Sequence, residues 1–179
     1  MVSELGAWKF WRENKVCISH TVKLPGLTFV QPSFAFNTIH PTLVAGPVAN
    51  PAPGHYSTHT WLTEIFLDTP DSLGPTFVNP ADWLVDTRDV AAIHVAALLS
   101  DSTNSERLWA AGHPFSGNQL LGVWRKAFPE REIRADFEFP EGPKIVLDRS
   151  KSTKMLKELE GRDWYSLEET VIANVQRAL

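Results

Sequence analysis

Two histidines four residues apart are the first side chains whose types and spacing could do chemistry. On a helix, His55 and His59 would present both imidazoles on one face, the spacing found in many zinc sites. However, His55 directly follows the turn-forming pair Pro53-Gly54, no glutamate lies between the histidines, and no third ligand is assigned nearby. The pattern therefore predicts no metal site. We expect both histidines to lie in a loop or to line a pocket.

Other catalytic chemistries find little support in the residue spacing. A serine hydrolase would need a G-x-S-x-G elbow, which is absent, and Ser116-Gly117 is typical of a helix cap. Carboxylates are plentiful at predicted turns and helix starts, so any of them could act as acid or base and none is selected. His94 lies in an apolar helical stretch, where we expect a half-buried histidine with its hydrogen bonds satisfied. The catalytic residues stay unknown at this level.

The elements that would position these residues alternate between strand and helix. The segment "FAFNTIHPTLVAG" predicts a buried strand that ends at Gly46-Pro47. A helix capped by Ser57 or Thr58 follows, and its inward stripe is predicted as Trp61, Leu62, Ile65 and Phe66. Asp86 is placed to cap a further helix, with Asp89 at its third position as a variant capping box. The inward stripe predicted for that helix is Val90, Ala91, Val95 and Leu98.

The C-terminal half continues the alternation. Residues 106–111 predict a short strand, and "SGNQLLGVWRKAF" predicts a helix capped by Ser116 with Leu120, Leu121 and Trp124 inward. A short helix follows in "SKSTKMLKEL". The last helix opens with the complete capping box Ser166 to Glu169 and stacks Leu167, Val171 and Val175 on one face. This alternation indicates an α/β architecture.

Composition limits the class of protein. With 43% hydrophobic residues, seven Trp and ten Phe among 179 residues, the chain can build a packed core. Its net charge of −4 and the lack of a Lys/Arg cluster disfavour a nucleic-acid partner. No apolar run approaches the ~20 residues of a membrane span, and a single cysteine suits a reducing compartment. We therefore expect a cytoplasmic protein without membrane partners.

Several of these segments together resemble a known family. They are "FAFNTIHPTLVAGP", "LVDTRDVAAIHVAALL", "ERLWAAGHPFSGNQLLGVWRKAFPE" and "DRSKSTKMLKEL" followed by "SLEETVIANV". In this order and spacing they resemble the extended short-chain dehydrogenases/reductases, in particular the fungal dihydroflavonol-reductase-like ketone and aldehyde reductases, which are also called NAD-dependent epimerase/dehydratase-like proteins. The resemblance implies the C-terminal part of an NAD(P)-binding Rossmann fold, with one or two parallel strands and flanking helices, plus a small α+β substrate-binding lobe.

The same resemblance identifies what is missing from the sequence. Relatives carry a Gly-rich phosphate turn and a catalytic Tyr-x-x-x-Lys motif, and neither pattern occurs in the 179 residues. In relatives the motif runs into a helix whose tail resembles residues 1–15, so the family's lysine would fall immediately before Met1. We therefore expect NAD(P) as the family cofactor but no tight binding by this chain alone.

The resemblance also suggests site residues. The segment "HPTLV" is expected to pass beside the nicotinamide and to contact it through backbone groups; its residues are His40, Pro41, Thr42, Leu43 and Val44. His55, His59 and Arg88 are the candidates for substrate binding. The alternative for Arg88 is a surface arginine paired with Asp86 or Asp89.

One segment departs from the family pattern. Deleting residues 16–31 restores the pattern "WRENKPSFAFNTIHPTLVAGP", and the codons permitted by these residues are compatible with splice-site and branch-point sequences. We interpret 16–31 as an insertion that could be a translated intron, with a genuine surface loop as the alternative. The expected organisation is one incomplete domain over 1–179: the tail of the catalytic helix (1–15), the insertion (16–31), and the end of the Rossmann sheet with the substrate lobe (32–179).

Three functions follow as hypotheses. The first is the substrate-binding half of an NAD(P)-dependent ketone/aldehyde reductase of fungal secondary metabolism, inactive alone, whose substrate is a small carbonyl or polyketide-like molecule. The second is a cofactor-independent isomerase, cyclase or dehydratase built on a truncated fold. The third is a non-enzymatic partner that forms a homo-oligomer or pairs through an open sheet edge.

Overall fold

The computed structural model describes residue 9 and residues 35–49, 57–69, 82–138 and 145–179. The predicted catalytic-helix tail, apart from residue 9, and the 16–31 insertion lie outside these residues. The strands are β1 (Thr38–Pro41), β2 (Leu43–Ala45), β3 (Asp82–Asp86), β4 (Arg107–Ala110) and β5 (His113–Phe115). The helices are α1 (Thr58–Leu67), α2 (Thr87–Leu99), α3 (Gly117–Ala127), α4 (Ser150–Glu160) and α5 (Leu167–Val175), followed by a 3₁₀ turn over Gln176–Ala178. The predicted mixed α/β class is confirmed.

The predicted single strand before Gly46 is divided between two sheets. β1 pairs in parallel with β4, whereas β2 pairs in parallel with β3, whose other edge carries the antiparallel β5. Pro41 ends β1, and proline has no N–H to donate to a ladder. The Thr42 N–H still donates to the Ala110 carbonyl at 3.1 Å before the chain changes partner. The prediction of one continuous strand was therefore wrong at this junction.

Helix α2 begins as predicted but buries a different face. The Asp86 side chain caps it by accepting from the Arg88 N–H at 2.8 Å. The predicted stripe was wrong, since Val95 is 47% and Leu98 85% exposed. The buried positions are Asp89, Ala92, Ile93, Ala96 and Ala97. Small side chains face inward because α2 packs closely against β3 and α4.

Asp89 does not complete a capping box. Its carboxylate is fully buried and instead accepts from Arg162 Nη1 at 2.7 Å and from the Tyr165 N–H at 3.0 Å. Burial raises the pKa of Asp89, and the hydrogen bond from Arg162 opposes that change. The predicted variant box is therefore replaced by a long-range ion pair that fastens the 162–165 segment to α2.

Helices α1, α3 and α5 follow most of their predicted stripes, although Trp61 and Leu167 are only half-buried. Leu62, Ile65 and Phe66 of α1 are buried, as are Leu120, Leu121 and Trp124 of α3 and Val171 and Val175 of α5. These side chains form one apolar cluster with Leu84 of β3. The cluster places α5 directly against α1 and β2, the region in which the candidate site lies.

Of the predicted caps, Ser116 and Ser166 are confirmed with full capping boxes, whereas Ser57 makes no capping bond to α1. The Ser116 hydroxyl accepts from the Gln119 N–H at 3.3 Å, and the Ser166 hydroxyl accepts from the Glu169 N–H at 3.2 Å. In return, the side chains of Gln119 and Glu169 accept from the backbone N–H of the capping serine. The hydrogen bonds from the Ser166 hydroxyl and N–H lower the pKa of Glu169.

The Ser166 box yields a prediction with a defined pH dependence. Ser166→Ala should reduce the free energy of unfolding by about 1 kcal/mol near neutral pH. Because the pKa of Glu169 is lowered in the folded state, its contribution is present above the carboxyl's ordinary pKa and is lost as pH falls through the lowered value. The difference between wild type and variant should therefore shrink in acid, as measured by urea unfolding across pH.

Ser116→Ala provides the matched control. Its partner Gln119 does not titrate, so the stability difference caused by this substitution should stay nearly constant over the same pH range. Equal pH dependence for the two variants would contradict the assignment to Glu169.

Within the described residues, no helix is both long enough and apolar enough to cross a bilayer.

Candidate functional site

A cavity of about 530 Å³ opens beside the carboxyl end of β2. In open α/β sheets, ligands bind at the carboxyl ends of the strands. An apolar wall and several hydroxyl groups line this cavity, together with one imidazole. The described lining residues are Thr42, Val44, Gly46, Pro47, Val48, Ala49, Ser57, Thr58, His59 and Thr87.

The strand alternation decides which of the predicted cofactor-contact residues reach the cavity. Thr42 and Val44 line it, whereas Leu43 between them packs against the hydrophobic core. Successive side chains of a strand point to opposite faces, which accounts for this division. The Val44 carbonyl accepts a hydrogen bond from the Thr58 hydroxyl. That bond ties the cavity's strand to the start of α1.

His40 and Pro41 have different surroundings. His40 Nε2 is 2.9 Å from the Thr38 hydroxyl, and its ring lies 5.5 Å from that of Trp109. Pro41 is exposed at the end of β1. Backbone contact between residues 40–44 and a nicotinamide stays a prediction.

His59 is the imidazole of the cavity. It is the second residue of α1 and is half-buried. Burial lowers its pKa most strongly, the positive charge of Arg177 lowers it further, and a hydrogen bond with the Asn174 backbone raises it. The net lowering favours the neutral imidazole, which can both donate and accept a hydrogen bond.

The titration of His59 is a direct test of this environment. We expect its pKa in the folded protein to lie below that of His59 in the urea-unfolded chain, as measured by NMR titration. The depressed pKa contributes stability that is present above the unfolded pKa and lost as pH falls through the folded value. Arg177→Gln should raise the pKa of His59, since it removes a neighbouring positive charge. An unchanged pKa in that variant would contradict the electrostatic part of this account.

Arg88, the other described substrate candidate, is held by protein groups. Its Nε and Nη2 bind the two oxygens of Asp86 at 2.9 and 2.8 Å, and its guanidinium carbon lies 3.5 Å from the centre of the Tyr165 ring. The hydrogen bond to Asp86 raises the pKa of Arg88. Of the two predicted protein partners, the structure selects Asp86, because Asp89 binds Arg162. Contact between Arg88 and substrate stays a prediction.

Of the two histidines, only His59 lies within the described residues. His55 lies outside the described residues, and His59 lines the cavity. Among the residues that the structure describes, no three His, Cys, Asp or Glu side chains come together in a way that could hold a metal ion. His94, predicted as half-buried, is in fact exposed on α2, where Nδ1 lies 2.8 Å from the Val90 carbonyl oxygen.

The cavity rim contains residues that sequence patterns did not identify. Ser57 occupies the predicted cap position of α1 but makes no capping bond, and its φ of 49° places it in the left-handed region. Thr87 donates to the Ala45 carbonyl at 2.9 Å, which holds the end of β2 against α2. Asn174 and Thr170 are the buried polar residues of α5, beside Val171 and Val175.

Comparison of the sequence with known proteins finds relatives among fungal reductases. No family model matches the chain. Aldehyde reductase 2 of Sporidiobolus salmonicolor is 26% identical over 170 residues, which are 94% of this chain and 44% of the relative. Ketoreductase adrE of Penicillium rubens is 31% identical over 151 residues, which are 82% of this chain and 44% of the relative. These similarities confirm the predicted resemblance to the extended short-chain dehydrogenases/reductases. It spans about half the length of the curated reductases it matches.

A solved structure agrees on the fold. The crystal structure of yeast methylglyoxal/isovaleraldehyde reductase in complex with NADPH superposes with a TM-score of 0.71 at 22% identity. The match covers 97% of this chain and 47% of the reductase. The predicted fold class, the C-terminal part of a Rossmann-type α/β fold, is confirmed.

Proposed function

We propose that this chain forms the substrate-binding part of an NAD(P)H-dependent ketone/aldehyde reductase of fungal secondary metabolism. One observation carries the proposal: in a homologue of fungal reductases, Thr42 and Val44, which the family resemblance places beside the nicotinamide, share one cavity with His59. Reduction of the carbonyl to the alcohol would take its hydride from the reduced nicotinamide of bound NAD(P)H and would need a proton on the oxygen.

The cavity residues fit the nicotinamide end of the cofactor. Val44, Pro47 and Val48 provide an apolar wall suited to a flat ring. Thr42 and Ser57 carry hydroxyl groups, which can hydrogen-bond to a carboxamide. The neutral His59 imidazole can hydrogen-bond a carbonyl or hydroxyl group of the substrate. The sequence offers no Gly-rich turn for the pyrophosphate, so tight cofactor binding requires groups that this chain does not supply.

The family's proton donor, the tyrosine of the Tyr-x-x-x-Lys motif, is also absent from the sequence. Neither Tyr56 nor Tyr165 is followed by a lysine four residues later. The proposal therefore assigns substrate positioning to this chain and predicts that the purified chain does not oxidise NADPH when isovaleraldehyde is added.

The binding experiment uses 3-methylbutan-1-ol, the unreactive alcohol that corresponds to isovaleraldehyde. Titrated into isotope-labelled protein, it should shift NMR signals of Thr42, Val44 and His59, and His59→Gln should weaken binding. His94→Gln is the matched control, because His94 is exposed on α2 away from the cavity lining. Shifts that avoid the cavity, or steady NADPH oxidation by the chain alone, would overturn the proposal.

A second candidate function rests on the lowered pKa of His59. A neutral imidazole at a cavity can take up and return a proton, as a cofactor-independent isomerase, cyclase or dehydratase requires. Turnover of a carbonyl substrate without added nucleotide, abolished by His59→Gln, would favour this candidate over the reductase part. Strict dependence on added nucleotide would exclude it.

A further inference from the structure

Asn174 is a fully buried amide whose hydrogen-bonding groups are all engaged with elements around the cavity. Its Oδ1 accepts from the Gly46 N–H at 3.1 Å. Its Nδ2 donates to the His59 carbonyl at 3.1 Å and to the Thr63 hydroxyl at 3.3 Å. The partners determine the amide orientation, because only oxygen can accept from an N–H and only the NH₂ can donate to a carbonyl.

Two of these partners belong to different elements, and both line the cavity. Gly46 follows β2 and has a φ of 112°, whereas His59 belongs to α1. Thr63 also donates to the His59 carbonyl at 2.9 Å, so the start of α1 receives two side-chain bonds at one atom. Asn174 thus connects the segment after β2 with the start of α1, two parts of the cavity lining, without being among the described lining residues.

The support for Asn174 comes from the core. The Trp124 indole donates to the Val171 carbonyl of α5 at 3.1 Å, and Val171 and Val175 are fully buried beside Asn174. A buried amide on a helix anchored in this way has little freedom to move. If its partners lost these hydrogen bonds, the folded state would be destabilised by the desolvation cost of buried, unsatisfied polar groups.

We propose that Asn174 is a positioning residue that sets the separation of Gly46 and His59 and thereby the cavity's affinity for its ligand. This inference rests on the proposed function, because that function makes the cavity a substrate site. The positioning of Gly46 and His59 can nevertheless be measured without a ligand. It assigns to the C-terminal helix a role in substrate recognition that acts through other residues.

The test compares Asn174→Asp with Asn118→Asp. The first substitution is isosteric and removes both donors to α1. Asn118 is a matched control because it makes the same kind of two-way bond, with the Phe137 backbone N–H and carbonyl at 2.8 and 3.1 Å, outside the cavity lining. Asn174→Asp should weaken 3-methylbutan-1-ol binding about tenfold, shift the His59 ring signals and speed hydrogen exchange of the Gly46 amide. Asn118→Asp should change none of these.

Thr63→Val is the milder companion if Asn174→Asp does not fold. It removes the Thr63 bonds to His59 and Asn174 and should change the same three readouts in the same direction, to a smaller extent. Unchanged Gly46 exchange and His59 signals in the folded variant would overturn the positioning role. If the wild type does not bind 3-methylbutan-1-ol, the proposed function fails. The positioning of Gly46 and His59 is then judged by exchange and ring signals alone.

Discussion

Replacing Asp89 by alanine is expected to lower the free energy of unfolding by about 3 kcal/mol. The substitution removes the buried partner of Arg162 and the acceptor of the Tyr165 N–H. Loss of one member of a buried pair costs ~3–5 kcal/mol. The lower end applies here because the Arg162 side chain is 27% exposed and keeps its contact with Glu160.

The measurement is urea unfolding near neutral pH, with Glu168→Ala as the control. Glu168 pairs with Lys126 at 3.4 Å, and both side chains are more than half exposed. Removing this surface pair should cost less than about 1 kcal/mol. Comparable losses in the two variants would show that burial of Asp89 contributes little. A changed slope with denaturant would instead point to an altered unfolded or native state.

The features predicted correctly from sequence are those that depend on residues close together in the chain. Ser116 with Gln119, and Ser166 with Glu169, form their capping boxes within one helical turn, so the spacing alone specifies them. The stripe of Leu120, Leu121 and Trp124 follows from helical periodicity in the same way.

The features that were missed depend on distant partners. The strand divides at Pro41 because β1 and β2 find different neighbours, β4 and β3, far along the chain. The buried face of α2 is decided by close packing on α4 and by the Asp89–Arg162 pair, 73 residues apart in sequence. No local pattern contains that information, since hydropathy alone favoured the face with Val95 and Leu98.

The candidate site shows the same division. Family resemblance pointed to Thr42 and Val44, and the local sequence predicted His59 in a loop or lining a pocket. The structure brings these three residues to one cavity. Periodicity could not have joined Asn174 to Gly46, because they are 128 residues apart and only the tertiary fold places α5 beside β2. Sequence therefore predicted side chains of the cavity but not the residue that holds its walls together.

Trp124→Ala should produce the largest loss of stability, about 4 kcal/mol, within the ~3–5 kcal/mol found when a buried Trp or Phe is reduced to alanine. Trp124 is fully buried, packs its ring edgewise 5.5 Å from that of Phe66, and donates to the Val171 carbonyl. The indole thereby connects α3 with α1 and α5. Trp109→Ala is the control, because Trp109 is 40% exposed and should cost clearly less. Equal losses in urea unfolding would contradict the central place of Trp124 in the core.

Trp124→Phe separates packing from hydrogen bonding and connects the core to the site. Phenylalanine retains most of the buried area but leaves the Val171 carbonyl without its side-chain donor, a loss of about 1–3 kcal/mol. Because Val171 and Asn174 belong to the same helix, loosening α5 should also speed hydrogen exchange at the Gly46 amide, which donates to Asn174. Destabilisation without faster Gly46 exchange would show that α5 holds the cavity independently of its indole anchor.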